Sequence, residues 1–68
     1  MKIYAPFAGV VRYTVADGDE VTAGAQVAVV EAIKLESPVL SPAQGVVKRT
    51  QNEDFVDVHG GDELLEII

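Results

Sequence analysis

Cysteine, tryptophan and histidine are almost missing from this sequence of 68 residues, which has no cysteine, no tryptophan and one histidine, His59. Disulfides and zinc sites built from cysteine and histidine are therefore excluded, although domains of this size often depend on them. Sets of cysteine or serine with histidine, as used in nucleophilic catalysis, have no plausible members here. We interpret His59 as a loop residue, and we expect no catalytic or metal site and a fold that depends on packing alone.

Basic residues are also few, because five lysines and arginines stand against eleven aspartates and glutamates, for a net charge of −6. Nucleic-acid phosphates require clustered basic side chains, and only Lys48 and Arg49 are adjacent, so a nucleic-acid partner is not expected. Long apolar runs are absent, which argues against a membrane span, and the first residues lack the apolar stretch of a secretory signal. From these absences we expect a soluble, cytoplasmic protein.

What the sequence does contain is an apolar fraction of 49%, supplied mainly by valine, isoleucine, leucine and alanine. Residues of this kind favour strands, and proline and glycine turn signals separate short extended segments at 2–4, 9–13 and around Val21. Residues 26–31 fit a strand buried on both faces or a short helix, and their valines favour the strand. The length predicts a single domain, residues 1–68, and the strand-type apolar residues predict that it is all-β.

The centre of the sequence, residues 31–36 with the letters EAIKLE, has strand-type sequence on both sides and a single lysine, Lys34. Two strands that meet there would form a hairpin with the lysine amine at its tip. Glu31 and Glu36 would then be cross-strand neighbours. They form either an exposed acidic pair that discourages association between strand edges, or a charge that a partner protein reads.

An internal repeat relates the two halves of the chain through shared proline, glycine, valine and basic positions. The matched segments are 5–12 with 41–48, 24–27 with 61–64 and, more loosely, 17–19 with 53–55, where the glycine of the first turn is missing. Two similar halves predict an approximate twofold, with the halves packed face to face and the two termini together at the end opposite the lysine. Pro38 and Pro42 are expected on strand edges or at strand starts.

These elements, in this order and spacing, resemble the biotinyl domain of biotin carboxyl carrier proteins, within the wider biotinyl/lipoyl attachment family. The segments that carry the resemblance are 5–9, 18–24, 31–36, 42–47 and 61–64. The resemblance implies a flattened barrel-sandwich hybrid of two four-stranded antiparallel sheets with internal pseudo-twofold symmetry. It places the attachment lysine on a hairpin tip.

The resemblance also implies a function, in which biotin is joined by an amide bond to a lysine. The implied site is Lys34 for attachment, Ala32, Ile33 and Leu35 as the flanking motif, and Glu31 and Glu36 as candidate recognition residues. The chain would be a non-catalytic carrier in a biotin-dependent carboxylase of the acyl-CoA type, such as acetyl-CoA carboxylase, or of the pyruvate type. It would carry a carboxyl group from a biotin carboxylase to a carboxyltransferase. Because a lysine amine is protonated at neutral pH, a biotin protein ligase would have to activate biotin and help to remove the proton.

Two features depart from the family pattern. Ile33 stands where biotinyl domains usually have methionine, and a tight primed turn would strain this β-branched residue by requiring positive φ. The protruding loop that some carrier proteins place beside the biotin is absent between positions 9 and 24, so the sequence gives no reason to expect the domain to cover its own biotin. A lipoyl carrier and an unmodified binding or structural module are the alternatives.

Overall fold

Eight short β-strands, with no helix among the described residues, make up the fold, in a computed structural model that describes residues 1–50 and 55–68. In chain order the strands are β1 (Lys2–Tyr4), β2 (Gly9–Tyr13), β3 (Glu20–Val21), β4 (Gln26–Ala32), β5 (Leu35–Leu40), β6 (Gly45–Arg49), β7 (Val56–Val58) and β8 (Glu63–Ile67). They form two four-stranded antiparallel sheets with the orders β1-β8-β6-β3 and β5-β4-β2-β7. The predicted all-β architecture is confirmed.

The internal repeat relates the two sheets to each other. When each strand is exchanged for its counterpart in the other half, β1 for β5 and so on, one sheet order becomes the other. Hydrogen bonds repeat in the same way: the Gly24 N–H donates to the Ser41 carbonyl at 2.7 Å, and the Gly61 N–H donates to the Ala5 carbonyl at 2.9 Å. Each sheet takes two strands from each half, so the halves interlock and are not separate units packed face to face.

The central strand β4 settles the ambiguity between strand and helix at 26–31 in favour of a strand. Its residues from Val27 to Val30 are all buried. Val29 lies outside the main core cluster, between Arg12 of β2 and Pro38 of β5 in the cross-strand register. Neighbouring side chains therefore cover the outer face of β4, which explains why its sequence does not alternate between apolar and polar residues.

The core between the sheets consists mainly of valine and leucine side chains. The apolar residues with the least exposure are Val11, Val27, Ala28, Val30, Leu64 and Leu65. Burial of each valine or leucine stabilises the fold by about 1.5–3 kcal/mol relative to leaving it in water. Tyr13 adds a buried ring whose hydroxyl donates to the Leu64 carbonyl at 2.7 Å, and the Arg49 guanidinium lies 4.0 Å from the centroid of that ring.

The two prolines and the chain termini can be compared with their predicted positions. Pro38 lies on the edge strand β5, where its missing N–H removes no ladder bond from a central strand, as predicted. The expectation for Pro42 is wrong, because this residue lies in the loop between β5 and β6 and not on an edge or at the start of a strand. The termini are together, since the Met1 ammonium donates to the Ile67 carbonyl at 2.7 Å and the Ile67 N–H donates to the Met1 carbonyl at 2.8 Å. They lie in the sheet that does not contain β4 and β5.

Aspartates build the turn between β2 and β3, as the sequence indicates. The Arg49 N–H donates to Asp17 Oδ1 at 2.7 Å, and the Ala16 N–H donates to Asp19 Oδ2 at 2.9 Å. Both carboxylates thus accept hydrogen bonds from backbone N–H groups, as aspartates in turns usually do. The predicted second copy of this turn covers 53–55, of which 53 and 54 lie outside the described residues.

Candidate functional site

A two-residue turn joins β4 to β5 and carries Lys34 at its tip. Ala32 stands opposite Leu35, and Glu31 stands opposite Glu36 one step further from the turn. The predicted hairpin and the predicted cross-strand acidic pair are therefore present. All six residues of the implied site lie within this one hairpin, on a strand pair that the core holds in place through the buried part of β4.

The backbone of the turn differs from the sequence-based expectation. A primed two-residue turn requires positive φ at one or both central residues, but neither Ile33 nor Lys34 has positive φ. The expected strain at Ile33 is therefore wrong. Its side chain is 99% exposed, so it meets no packing restriction either. The physical reason is local, because a β-branched residue resists the left-handed region and the turn closes without entering it.

The side chain of Lys34 is exposed and unpartnered. Among the described residues, no carboxylate forms an ion pair with its amine and no hydrogen bond to it is found. Leu35 on the next position is 57% exposed. Lys34 is thus exposed at the hairpin tip, and its two neighbours in sequence, Ile33 and Leu35, are exposed apolar residues that a second protein could enclose.

Acidic side chains surround the base of the hairpin. Glu31 forms an ion pair with Arg12 of β2, with 3.3 Å between Oε1 and Nη2, and both side chains are partly exposed. Such exposed pairs stabilise a fold by less than about 1 kcal/mol. Glu36 is exposed opposite Glu31, and no ion pair among the described residues involves it. The pair of glutamates is therefore only half neutralised and presents negative charge next to the lysine.

A groove runs beside the hairpin, and we call it the hairpin groove. It is lined by Val10, Ala32, Ile33, Phe55, Asp57 and His59, among others. Sequence reasoning missed this feature because its walls come from β2, β4, β7 and the segments next to β7. The loose sequence match of 17–19 with 53–55 showed that a glycine is missing there, but it set Phe55 opposite Asp19 and did not point to the groove.

His59 lies in the loop between β7 and β8, as predicted. Its backbone N–H donates to Asp62 Oδ2 at 2.8 Å, and its Nδ1 lies 3.7 Å from the same oxygen. In the described ranges, no group of three or more acidic or histidine side chains is placed to hold a metal ion. Those ranges also contain no helix with the length and apolar character needed to cross a membrane.

Known proteins share both the sequence pattern and the fold. The family model Biotin_lipoyl, described as "Biotin-requiring enzyme", matches residues 2–67. A biotin/lipoyl attachment protein of Bacillus subtilis is 36% identical over 50 residues, which cover 74% of this chain and 68% of that protein. The mitochondrial pyruvate carboxylase of Mus musculus is 36% identical over 67 residues, which cover 97% of this chain and 6% of the carboxylase.

Solved structures give the same result in three dimensions. The urea carboxylase of Kluyveromyces lactis matches all of this chain with a TM-score of 0.87 and 29% identity. A single-chain, multi-domain long-chain acyl-CoA carboxylase matches 96% of it with a TM-score of 0.84 and 31% identity. In both cases the match covers 6% of the larger chain, so this chain corresponds to one small part of each carboxylase.

Proposed function

Because the chain belongs to the biotin/lipoyl attachment family, we propose that it is a biotin carboxyl carrier domain in which Lys34 receives the biotin. The observation that supports this assignment most directly is the position of Lys34, exposed and unpartnered at the tip of the β4–β5 hairpin. In this role the chain catalyses no reaction itself. It carries a carboxyl group between a biotin carboxylase site and a carboxyltransferase site.

The hairpin suits an amide-linked cofactor. Attachment forms a bond between Lys34 Nζ, once its proton is lost, and the carboxyl carbon of biotin, while the bond from that carbon to the activating group supplied by the ligase breaks and the activating group leaves. An amine without an ion pair can enter the active site of a ligase without breaking an interaction in its own domain. Biotin then supplies the ring nitrogen that holds the carboxyl group, while the domain positions the long arm and keeps its base rigid.

Ala32, Ile33 and Leu35 form the surface on which a biotin protein ligase would recognise the lysine. Ile33 and Leu35 are largely exposed on either side of Lys34, so a partner could bury both. Glu31 and Glu36 add negative charge behind them, which would orient a ligase or carboxylase that presents a basic surface. Exposed apolar side chains at the centre, with charges around them, are the usual composition of a protein interface.

Similar carboxylases support the choice of partners. Pyruvate carboxylase, urea carboxylase and long-chain acyl-CoA carboxylase each contain a segment similar to this chain. We infer that the chain works with a biotin carboxylase and a carboxyltransferase of the acyl-CoA or pyruvate type. A cytoplasmic location stays a prediction, which fractionation of the source cells would test.

Intact mass spectrometry tests the attachment. The chain is co-expressed with a biotin ligase in biotin-supplied cells, together with the variants Lys34→Arg and Lys48→Arg. Arginine keeps the positive charge but cannot lose its proton to become a nucleophile, so only Lys34→Arg is expected to block modification. Wild type and Lys48→Arg should gain the mass of one biotin less one water. A gain that matches lipoate, or no gain on a folded chain, would contradict the proposal in favour of the lipoyl or unmodified alternative.

The carrier role needs a second test, with a carboxylase from which the homologous carrier segment has been deleted. The biotinylated chain is expected to restore carboxylation when it is added in trans, and the Lys34→Arg variant is expected not to restore it. Restoration by both forms would show that the lysine is not the carrier.

A further inference from the structure

The pseudo-twofold places a second groove at the other end of the molecule, and the two grooves can be compared directly. The terminal groove, as we call it, is lined by Glu20, Val21, Thr22, Gln44, Gly45 and Val46. Its residues Gly45, Val46 and Val21 are the counterparts of Gly9, Val10 and Val58 in the hairpin groove, at offsets of 36 (45 − 9 and 46 − 10) and 37 (58 − 21). Differences between the two grooves therefore identify the features that occur at the lysine end and not at its counterpart.

The clearest difference between the grooves is Phe55. Its N–H donates to the Val11 carbonyl at 2.8 Å, and the Gly18 N–H donates to the Val47 carbonyl at the same distance. Phe55 and Gly18 are therefore counterparts in the structure, whereas the loose sequence match of 17–19 with 53–55 set Phe55 opposite Asp19. Both have positive φ, 60° for Phe55 and 90° for Gly18. Only the lysine end thus has an aromatic wall, and there Ala8 also replaces the polar Gln44 of the terminal groove.

Phe55 has a backbone conformation that is unfavourable for phenylalanine. Among the described residues it is the one non-glycine residue with positive φ, a conformation that L-residues enter at an energetic cost. Packing does not offset that cost, because the residue is 71% exposed. Strain at an exposed residue beside a candidate site indicates a function for the side chain. The ring and the side chain of Ile33 together give the groove an apolar wall.

We propose that the hairpin groove binds the biotin group carried on Lys34 of the same chain; this inference rests on the proposed attachment. The apolar wall of Phe55 and Ile33 suits the sulfur-containing ring and methylenes of biotin. The carboxylate of Asp57 lies on the same groove and can accept hydrogen bonds from the ureido N–H groups. A groove with apolar walls and a few polar acceptors is the usual form of a small-molecule site.

The arm is long enough to reach the groove. Val10, which lines the groove, is paired with Glu31, three residues before Lys34, which corresponds to about 10 Å along a strand. The lysine side chain and the pentanoyl chain of biotin together span a comparable distance. Docking therefore requires only that the arm folds back along β4. The domain would hold its own biotin without the protruding loop that the sequence lacks.

Amide NMR of the unmodified and biotinylated chain tests the proposal, after intact mass has established that biotin is attached. In the wild type, biotinylation is expected to shift the amide signals of Val10, Asp57 and Val58 as well as those of the hairpin. Phe55→Gly keeps the backbone conformation and removes the wall, so the groove shifts should be lost while the hairpin shifts remain. Val10→Ala should reduce the groove shifts. Val46→Ala, the same change in the terminal groove, should leave the groove shifts unchanged.

The outcomes separate this inference from the proposed function. Absence of a mass gain would overturn both the attachment and the docking. A mass gain with shifts confined to 32–36 would overturn the docking alone. Groove shifts that appear only when a ligase or carboxylase is added would assign the groove to a partner protein and would likewise overturn the docking. Contacts in nuclear Overhauser spectra between the biotin ring and the Phe55 ring would establish it.

Discussion

Gly9, at the start of β2, lies so close to Glu31 of the neighbouring strand β4 that a Cβ at position 9 would overlap the Glu31 carbonyl oxygen. The same approach occurs in the other half, where a Cβ at Gly45 would lie 2.6 Å from the Ile68 carbonyl oxygen. Since a backbone carbonyl cannot move aside as a flexible side chain can, both positions require glycine. The close approach also fixes the start of β2 against the base of the lysine hairpin.

Gly9→Ala is therefore expected to destabilise the domain by about 1–3 kcal/mol, the usual cost of overpacking a well-packed site. Gly45→Ala should have a similar effect. Gly60→Ala is the control, because a Cβ there would meet Phe7 Cα at an ordinary 3.4 Å and no positive φ is involved. Urea denaturation measures all three. Equal stability of the variants Gly9→Ala and Gly60→Ala would contradict the close approach.

Substitutions at the two counterparts Phe55 and Gly18 should change stability in opposite directions. Phe55→Gly removes the cost of positive φ and is expected to stabilise the domain by roughly 0.5–1 kcal/mol, once the greater backbone entropy of glycine is subtracted. Gly18→Ala introduces that cost and should destabilise by about 1 kcal/mol. Phe55→Ala removes the ring without relieving the backbone and should not stabilise. Thermal unfolding of the unmodified chain measures each effect. A change of the same sign for Phe55→Gly and Gly18→Ala would contradict the assignment of the two residues as counterparts with a disfavoured φ at Phe55.

Substitution of Ile33 by glycine should not stabilise the domain, in contrast to the same substitution of Phe55. Because its φ is not positive and its side chain is 99% exposed, Ile33→Met is expected to change the free energy of unfolding by less than about 0.5 kcal/mol. Ile33→Gly should destabilise slightly, through backbone entropy, instead of relieving strain. The measurement is urea denaturation of both variants beside Leu35→Met as an exposed control. Stabilisation by Ile33→Gly would show that the hairpin tip is strained after all.

The sequence predicted the strands and the hairpin because their signals are local. Valine-rich segments bounded by glycine or proline gave β1 and β2 with the bounds that the structure has, and a lone lysine between two such segments marked the hairpin tip. The repeat was visible for the same reason, since its matched residues serve the same turns in both halves. These features depend on each segment's own chemistry and need no knowledge of its neighbours.

The groove and the strained residue were not predictable in this way. Phe55 has positive φ and its N–H donates to the Val11 carbonyl, which is distant in sequence, and phenylalanine itself gives no sign of that conformation. The strain that a primed turn would place on Ile33 is absent, because the two turn residues avoid the positive φ that short hairpin loops usually require. The conformation of Phe55 thus depends on a distant part of the chain, whereas the turn at Ile33 follows from the local preference of a β-branched residue.

Tyr13→Phe should measure the hydrogen bond that joins the two sheets. The Tyr13 hydroxyl donates to the Leu64 carbonyl at 2.7 Å in a buried position. That carbonyl also accepts the Thr50 N–H at 3.1 Å, so it keeps a partner in the variant, and the loss should be about 1 kcal/mol and not the larger penalty of an unsatisfied buried group. Phenylalanine retains the ring under Arg49, which isolates the hydroxyl. Tyr4→Phe, at a half-exposed position, should cost less than about 0.5 kcal/mol in the same urea titration, and equal costs at the two tyrosines would contradict a buried bond between the sheets.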